Sequence, residues 1–299
     1  MTSLTSKLSL GDKIGNCHFG EVFKGDGPVR GEVAVKVLTK EAAARILEKP
    51  EVTDEEWAEL KADFLAEAQN LAKATHKNVV QVHHILESDD GEAILFCMEM
   101  CPAGSLQGAF ENGPSTLRQV RDIASDILLG LDALHRRKML HRDIKPANVM
   151  IGKDRRLKVG DFGLVTDRLI LGYGSQAGYS DHIAHEVWHG EGTSVRSDIW
   201  AFGMTLYRLL HGETWYSRMP RPADLVEHGG FVDTLIWLPH VPKHWRRVIR
   251  KMMNHDRTKR YDSAAQAMDA VANLPVEPDW QTVVRADGVD WTLDCGDRI

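Results

Sequence analysis

An α+β chain in two parts is what this sequence predicts: a small β-rich N-terminal part with one main helix, then a larger helical part. Three observations carry it. Residues 8–38 alternate apolar and polar with glycines between the runs, the period-two signature of short strands. From residue 116 onward, apolar residues recur at helical spacing in several long windows. Between the two textures, Cys101-Pro102-Ala103-Gly104 breaks both patterns and sets a boundary near residues 100–104. The organisation expected is therefore residues 8–100, residues 101–274, and a tail of different character over 275–299.

The elements follow in order. LSLGDKIG, EVFKGD and EVAVKVL read as antiparallel strands, and KEAAARILEKP as a short helix ended by Pro50. Thr53 with Glu56 forms a capping box that opens a long helix to about Ala74, with an apolar stripe of Trp57, Leu60, Phe64, Leu65, Ala68 and Leu71. VVQVHHIL and AILFCMEM are two more strands around the turn SDDGE. Val120, Ile123, Ala124, Ile127, Leu128, Leu131 and Leu134 give a helix over 116–137. Short strands NVMI and LKVG follow, then helices over 197–211, 243–254 and 263–273. In the tail, WQTVV and VDWTL flank RADG and can pair as a hairpin. The tail reads as a strand pair packed on the body, as the stump of another domain or as a partner-binding strand.

With 299 residues, 43% hydrophobic and 27% charged, the chain can bury a core without metals or disulfides. A net charge of -6 points to no bulk nucleic-acid binder. The four cysteines are irregularly spaced, as reduced thiols would be. No apolar run approaches the ~20 residues of a membrane span, and MTSLTSKLSLGDKIG lacks an apolar signal core. The expected location is cytoplasmic.

The chemistry concentrates in Leu140-His141-Arg142-Asp143-Ile144-Lys145-Pro146-Ala147-Asn148-Val149. An Asp with a Lys two residues on and an Asn five residues on suits phosphoryl transfer: Asp143 can accept a hydroxyl proton, Lys145 can neutralise a terminal phosphate and Asn148 can hold a metal. Asp161, in Asp161-Phe162-Gly163, can chelate Mg²⁺. Upstream, Val33-Ala34-Val35-Lys36 offers a strand lysine for the α/β-phosphates, and Glu67 on the long helix is the candidate to orient it. Ile14-Gly15-Asn16-Cys17-His18-Phe19-Gly20-Glu21-Val22 is a hairpin whose amides can cover phosphates.

Taken in order, with SDIWAFGMTLYRLLHG and DRTKRYDSAAQAM further on, these residues resemble a eukaryotic-type (Hanks-type) serine/threonine protein kinase over about residues 8–274. HRDIKPANVMI looks most like the bacterial branch. The resemblance implies the two-lobed kinase fold, ATP with Mg²⁺ (or Mn²⁺), and a protein substrate. It makes Asp143 the catalytic base and Lys145 the γ-phosphate support, with Asn148 and Asp161 holding the metal and Lys36 paired to Glu67. ATP would be held by Ile14, Gly15, Gly20, Val22, Ala34, Lys36 and Met150. Met98 would control the back pocket, and the backbones of Glu99 and Cys101 would meet the adenine edge. Asp198 would anchor the catalytic loop, and Glu186 would pair with Arg260.

His185-Glu186-Val187-Trp188-His189 also spells H-E-x-x-H, a zinc-protease pattern. Gly190 and Gly192 follow at once, against a continuing helix, and on the kinase resemblance Ala184-His185-Glu186 stands where the family has Ala-Pro-Glu. No zinc is expected.

Four departures from the family pattern stand out. Cys17 occupies the second glycine position of the loop; with Cys101 it would line the cleft, either as an inert thiol or as an oxidation site. Gly178-Tyr179-Ser180 replaces the usual Gly-Thr, which unsettles the Ser/Thr assignment. The stretch between Lys36 and Glu67 is longer than usual, and AAARILEKPEVTDEEW is either a solvated insertion or a docking surface. The segment Asp161–Glu186 offers Thr166, Tyr173, Ser175, Tyr179 and Ser180 as acceptors, with Ser175 the expected autophosphorylation site and Arg142 its partner. A regulatory partner is expected at residues 40–57 or 275–299. The competing readings are a pseudokinase scaffold, or a kinase-fold toxin or defence enzyme with one dedicated substrate.

Overall fold

The computed structural model describes residues 8–17, 20–27, 31–46, 49–72, 75–160, 180–219 and 228–294. Five antiparallel strands form the N-terminal sheet in the order β1-β2-β3-β5-β4, with β1 Ser9–Cys17, β2 Gly20–Gly27, β3 Gly31–Thr39, β4 Val82–Glu87 and β5 Ala93–Glu99. β3 lies at the centre and is buried on both faces. Val33, Val35 and Val37 pack outward with Leu8, Leu10, Leu95 and Cys97, so by strand alternation Ala34, Lys36 and Leu38 face the other way. Gly20 closes the β1–β2 turn against β3 at φ +145°, and a Cβ there would stand 2.0 Å from the Val37 carbonyl oxygen. Only glycine fits both the dihedral and the approach.

Two helices cover that second face. α1 (Lys40–Ile46) continues directly from β3, and α2 (Asp54–Ala72) follows. The capping box forms: Glu56 N–H donates to Thr53 Oγ1 at 3.2 Å and Thr53 N–H to Glu56 Oε2 at 3.1 Å. The extra residues between Lys36 and Glu67 are not simply solvated. Ala42, Ala43, Ala44, Val52 and Trp57 are all buried, and Trp57 Nε1 donates to the Gly91 carbonyl at 2.9 Å. Small side chains let this short helix lie close on the sheet, so this insertion enlarges the core.

The helical lobe is built on α3 (Gln107–Glu111), α4 (Leu117–His135), a single turn α5 (His185–Trp188), α6 (Val195–Tyr216), α7 (Lys243–Met252) and α8 (Ala264–Ala272). α4 opens with a capping box between Thr116 and Gln119, and α6 with one between Ser194 and Ser197. α6 is buried from Ser197 to Gly212, where it kinks at φ +69°. The strands β6 (Val149–Ile151) and β7 (Leu157–Val159) pair antiparallel beneath the sheet. Hydrogen bonds join the lobes. Asn78 Nδ2 donates to the Leu157 carbonyl at 2.9 Å, and Val80 N–H to the Val159 carbonyl at 2.9 Å. Lys158 on β7 pairs with Glu99 at 2.9 Å at the end of β5.

In the tail, β8 (Gln281–Val284) pairs antiparallel with β9 (Val289–Thr292). It lies on the helical lobe: Trp245 Nε1 donates to the Pro275 carbonyl at 2.7 Å, and Trp291 Nε1 to His240 Nδ1 at 3.0 Å.

Candidate active site

Residues 141–148 form a loop between α4 and β6 whose shape is imposed from below. Asp198, in the first turn of α6, is buried and accepts from His141 N–H at 2.9 Å and Arg142 N–H at 2.8 Å, with His135 Nε2 also at 2.8 Å. Burial alone would raise its carboxyl, but the bond to His135 and the other donors hold it below the usual carboxylate range. Arg142 sits at φ +71°, a left-handed conformation costly for a non-glycine residue. The amide it gives to Asp198 offsets that cost and turns the chain sharply before Asp143.

Asp143 is nearly buried, with Lys145 Nζ at 2.8 Å and Asn148 Nδ2 at 2.7 Å from its Oδ2. Burial pushes this carboxyl up, yet the Lys145 ammonium and the Asn148 bond outweigh it, so Asp143 remains an anion. Asn148 Nδ2 also donates to the Asp143 carbonyl at 2.8 Å. With the amide nitrogen committed, Oδ1 is the part of Asn148 left for a ligand. A neutral amide oxygen beside a carboxylate suits a hard cation such as Mg²⁺, so these residues fit a metal there. Gly160 N–H donates to the Asn148 carbonyl at 2.9 Å, which brings the residue before Asp161 to the same place.

The sheet supplies the opposite wall. In register, Val22 stands opposite Lys36 and Ala34 opposite Met98, and directly opposed residues share a face. Val22, Ala34, Lys36 and Met98 therefore lie on one surface, turned to the helical lobe. Lys36 is fully buried and Ile14 half exposed. Across the cleft, β6 is tied to the connector after β5: Ile151 N–H donates to the Gly104 carbonyl at 2.8 Å, and Leu106 N–H to the Val149 carbonyl at 2.9 Å. That places Met150 on the floor, where a Cβ on Gly160 would come within 3.2 Å of it. In the connector, Glu99 N–H is committed to the Gln81 carbonyl at 2.9 Å, while Cys101 N–H has no partner among the described residues.

The protein kinase domain family matches residues 8–271. The chain belongs to the protein kinase family. It is 28% identical over 276 residues to the probable serine/threonine-protein kinase PknB of Bifidobacterium longum, covering 87% of this chain and 38% of the relative. It is 30% identical over 271 residues to the RAF proto-oncogene serine/threonine-protein kinase of Xenopus laevis, covering 86% and 40%. With the serine/threonine-protein kinase STY46 of Arabidopsis thaliana it shares 29% over 262 residues, covering 85% and 42%. The chain thus spans about two fifths of the length of these relatives.

In this kinase domain Glu186 is engaged by Arg260 through two bonds of 2.7 Å, with both side chains buried. Arg260 also donates to the Asn254 carbonyl at 2.7 Å and lies over the Trp200 ring at 4.9 Å. The H-E-x-x-H spacing does bring the two imidazoles together, with ring centroids 4.3 Å apart. It does so on a single helical turn that ends at Gly190, φ +74°. A carboxylate held by a bidentate guanidinium is no general base for a zinc-bound water.

Asp161, Thr166, Tyr173, Ser175 and Tyr179 lie outside the described residues, as do the side chains of Glu67, Cys17 and Ser180. Cys101 is buried, and burial pushes its thiol up to about 11, so it stays protonated at neutral pH. That removes Cys101 as an oxidation site in this conformation. Sequence reasoning missed His182 and Asp181. His182 Nδ1 donates to the Ile144 carbonyl at 2.7 Å, between Asp143 and Lys145. Asp181 is buried against Arg208 at 3.0 Å, with Tyr216 bonded to it, and Arg208 lies over the Phe110 and Tyr216 rings. Arg208 within the apolar run Leu206–Leu210 of the helix was the signal available for this network.

Proposed function

We propose that this chain is an active protein kinase that transfers the γ-phosphate of ATP to serine or threonine hydroxyls. The single observation that carries this reading is the cluster at Asp143: an anionic carboxylate beside Lys145, with an Asn148 amide oxygen that has no donor among the described residues. Asp143 accepts the proton of the attacking hydroxyl as its oxygen bonds to the γ-phosphorus and the bond to the bridging oxygen breaks. Lys145, released from Asp143 toward the substrate, neutralises charge on the transferring group. Lys36 meets the α/β-phosphates, and the Cys101 N–H serves the adenine edge between Ala34 above and Met150 below. A Mg²⁺ ion, when bound, neutralises charge on the phosphates; Asn148 and Asp161 are the residues that would hold it. Arg142 reaches the other way, with Nε donating to Thr193 Oγ1 at 3.2 Å, toward the chain that follows the activation segment. Ser175 and Thr166 are the proposed autophosphorylation sites, and the cytoplasm is the proposed location.

The test is phosphoryl transfer from γ-labelled ATP with Mg²⁺, comparing the wild type with Asp143→Asn. The isosteric change is expected to keep the fold and lower incorporation by about 10³-fold, the range of general-base contributions. Mass spectrometry then reads whether the acceptors are serine, threonine or tyrosine. Equal incorporation by the two proteins would sink the assignment of Asp143. A pseudokinase would bind ATP and transfer nothing in either form.

A further inference from the structure

The sequence of α7, Lys243-His244-Trp245-Arg246-Arg247-Val248-Ile249-Arg250-Lys251-Met252, places five cations in ten residues of a chain whose net charge is -6. Trp245, Ile249 and Met252 are fully buried, which turns the basic face outward. That face does not lie on a flat surface. Lys243, Arg246, Arg247, Arg250 and Lys251 line a groove of about 710 Å³, closed on the other side by Gly230, Val232 and Asp233 and at the end by Asn254 and His255.

None of the five cations has a carboxylate ion partner among the described residues. Other cations of the chain do have one, as in Lys61–Glu87 and Arg257–Glu191. Arg246 is tied to backbone carbonyls, with Nε donating to Val241 at 2.8 Å. Arg250 and Lys251 lie over the Trp237 and Tyr261 rings. Lys243 and Arg247 have no hydrogen bond or ion pair among the described residues. A row of unpaired cations around a concavity repels itself unless an anion occupies it.

We propose that this groove docks an acidic segment of a protein, a run of Glu, Asp or phosphorylated side chains. Lys243, Arg247 and Arg250 or Lys251 rise about 5.4 Å per turn along the helix. Acidic side chains at every second position of an extended segment lie roughly 6.6 Å apart, close to that spacing. A membrane surface fits less well, because the apolar residues that would anchor the helix are in the core. A single-stranded nucleic acid fits less well too: Trp237 and Tyr261 are buried beneath cations and offer no stacking face. The groove is also wired to the kinase machinery. The His255 ring lies against His185, with centroids 3.6 Å apart and the planes tilted by 42°, next to the Glu186–Arg260 pair. The docked segment would therefore rest against the end of the activation segment.

The test is fluorescence anisotropy with the full chain and no nucleotide, so its outcome is independent of whether transfer occurs. The probes are a fluorescein-labelled peptide with Glu at every second position, its phosphoserine counterpart and a lysine counterpart. An oligonucleotide and anionic vesicles complete the set. The acidic peptides are expected to bind saturably, more weakly as salt rises, while the lysine peptide does not bind. Lys243→Glu with Arg247→Glu, two positions without a hydrogen bond or ion pair among the described residues, is expected to weaken binding by about tenfold or more with the melting temperature unchanged. If the phosphoserine peptide binds tighter than the glutamate one, the partner is a phosphorylated segment; the reverse points to a carboxylate-rich one. No saturable peptide binding up to about 1 mM would overturn the proposal. So would equal binding by the reversed variant, or tighter binding of the oligonucleotide or the vesicles.

Discussion

Glu186 and Asp143 are both buried carboxylates beside a cation, yet they do opposite things. Glu186 has both oxygens committed to the two terminal nitrogens of Arg260. Asp143 concentrates Lys145 and Asn148 on one oxygen, Oδ2, and neighbours an amide oxygen with no donor among the described residues. The first arrangement is saturated and holds two segments together. The second has acceptor capacity in hand, the condition for taking up a proton or a cation. On the proposed assignment, unused capacity marks the carboxylate that carries chemistry, and burial and charge pairing do not separate the two.

The largest effect that would break this contrast is expected at Glu186. Glu186→Ala leaves the Arg260 guanidinium buried with only backbone carbonyls for partners and should cost about 3–5 kcal/mol in chemical denaturation. Replacing the pair together, Glu186→Leu with Arg260→Met, should recover part of that loss, because no unpaired charge remains. A double variant as unstable as the sum of two single losses would mean the pair is not the coupled unit described.

Asp198 lies between the two cases, since it is saturated yet acts on the reactive loop. Asp198→Asn offers one acceptor to donors that now have two, and turns an N–H toward another. A stability loss of about 2–3 kcal/mol is expected. Transfer should fall about 10²-fold through misplacement of Asp143. A variant that loses stability but keeps its turnover at low temperature would show that the Arg142 turn holds its shape without this anchor.

Much of this was legible in the chain. Strand alternation, the Thr53–Glu56 cap and the spacing of Asp143, Lys145 and Asn148 are local patterns, and local patterns survive into the fold. Asp198 and the Glu186–Arg260 pair were legible only through family resemblance, because their partners lie 56 and 74 residues away in sequence. The basic groove was not read, because a charge run on a helix looks the same whether it borders water or a concavity. Nor was the burial of Ala42–Ala44: alanines in a charged stretch give too weak a hydrophobic signal to place a face.

The smallest expected effect concerns His182, bonded to the Ile144 carbonyl between Asp143 and Lys145. Its Nδ1 donates to a carbonyl, and burial lowers its pKa to about 4, against about 6.5 in the unfolded chain. Between those values the unfolded state binds more protons than the folded one, so stability falls as pH drops through that window. In a His182→Gln variant that contribution vanishes. Going from pH 7.5 to 5.5, the wild type should lose about 1 kcal/mol more than the variant, read from urea midpoints at the two pH values. Parallel losses would mean that His182 takes up its proton in the folded state, and that the neighbourhood of Asp143 is wetter than its burial indicates.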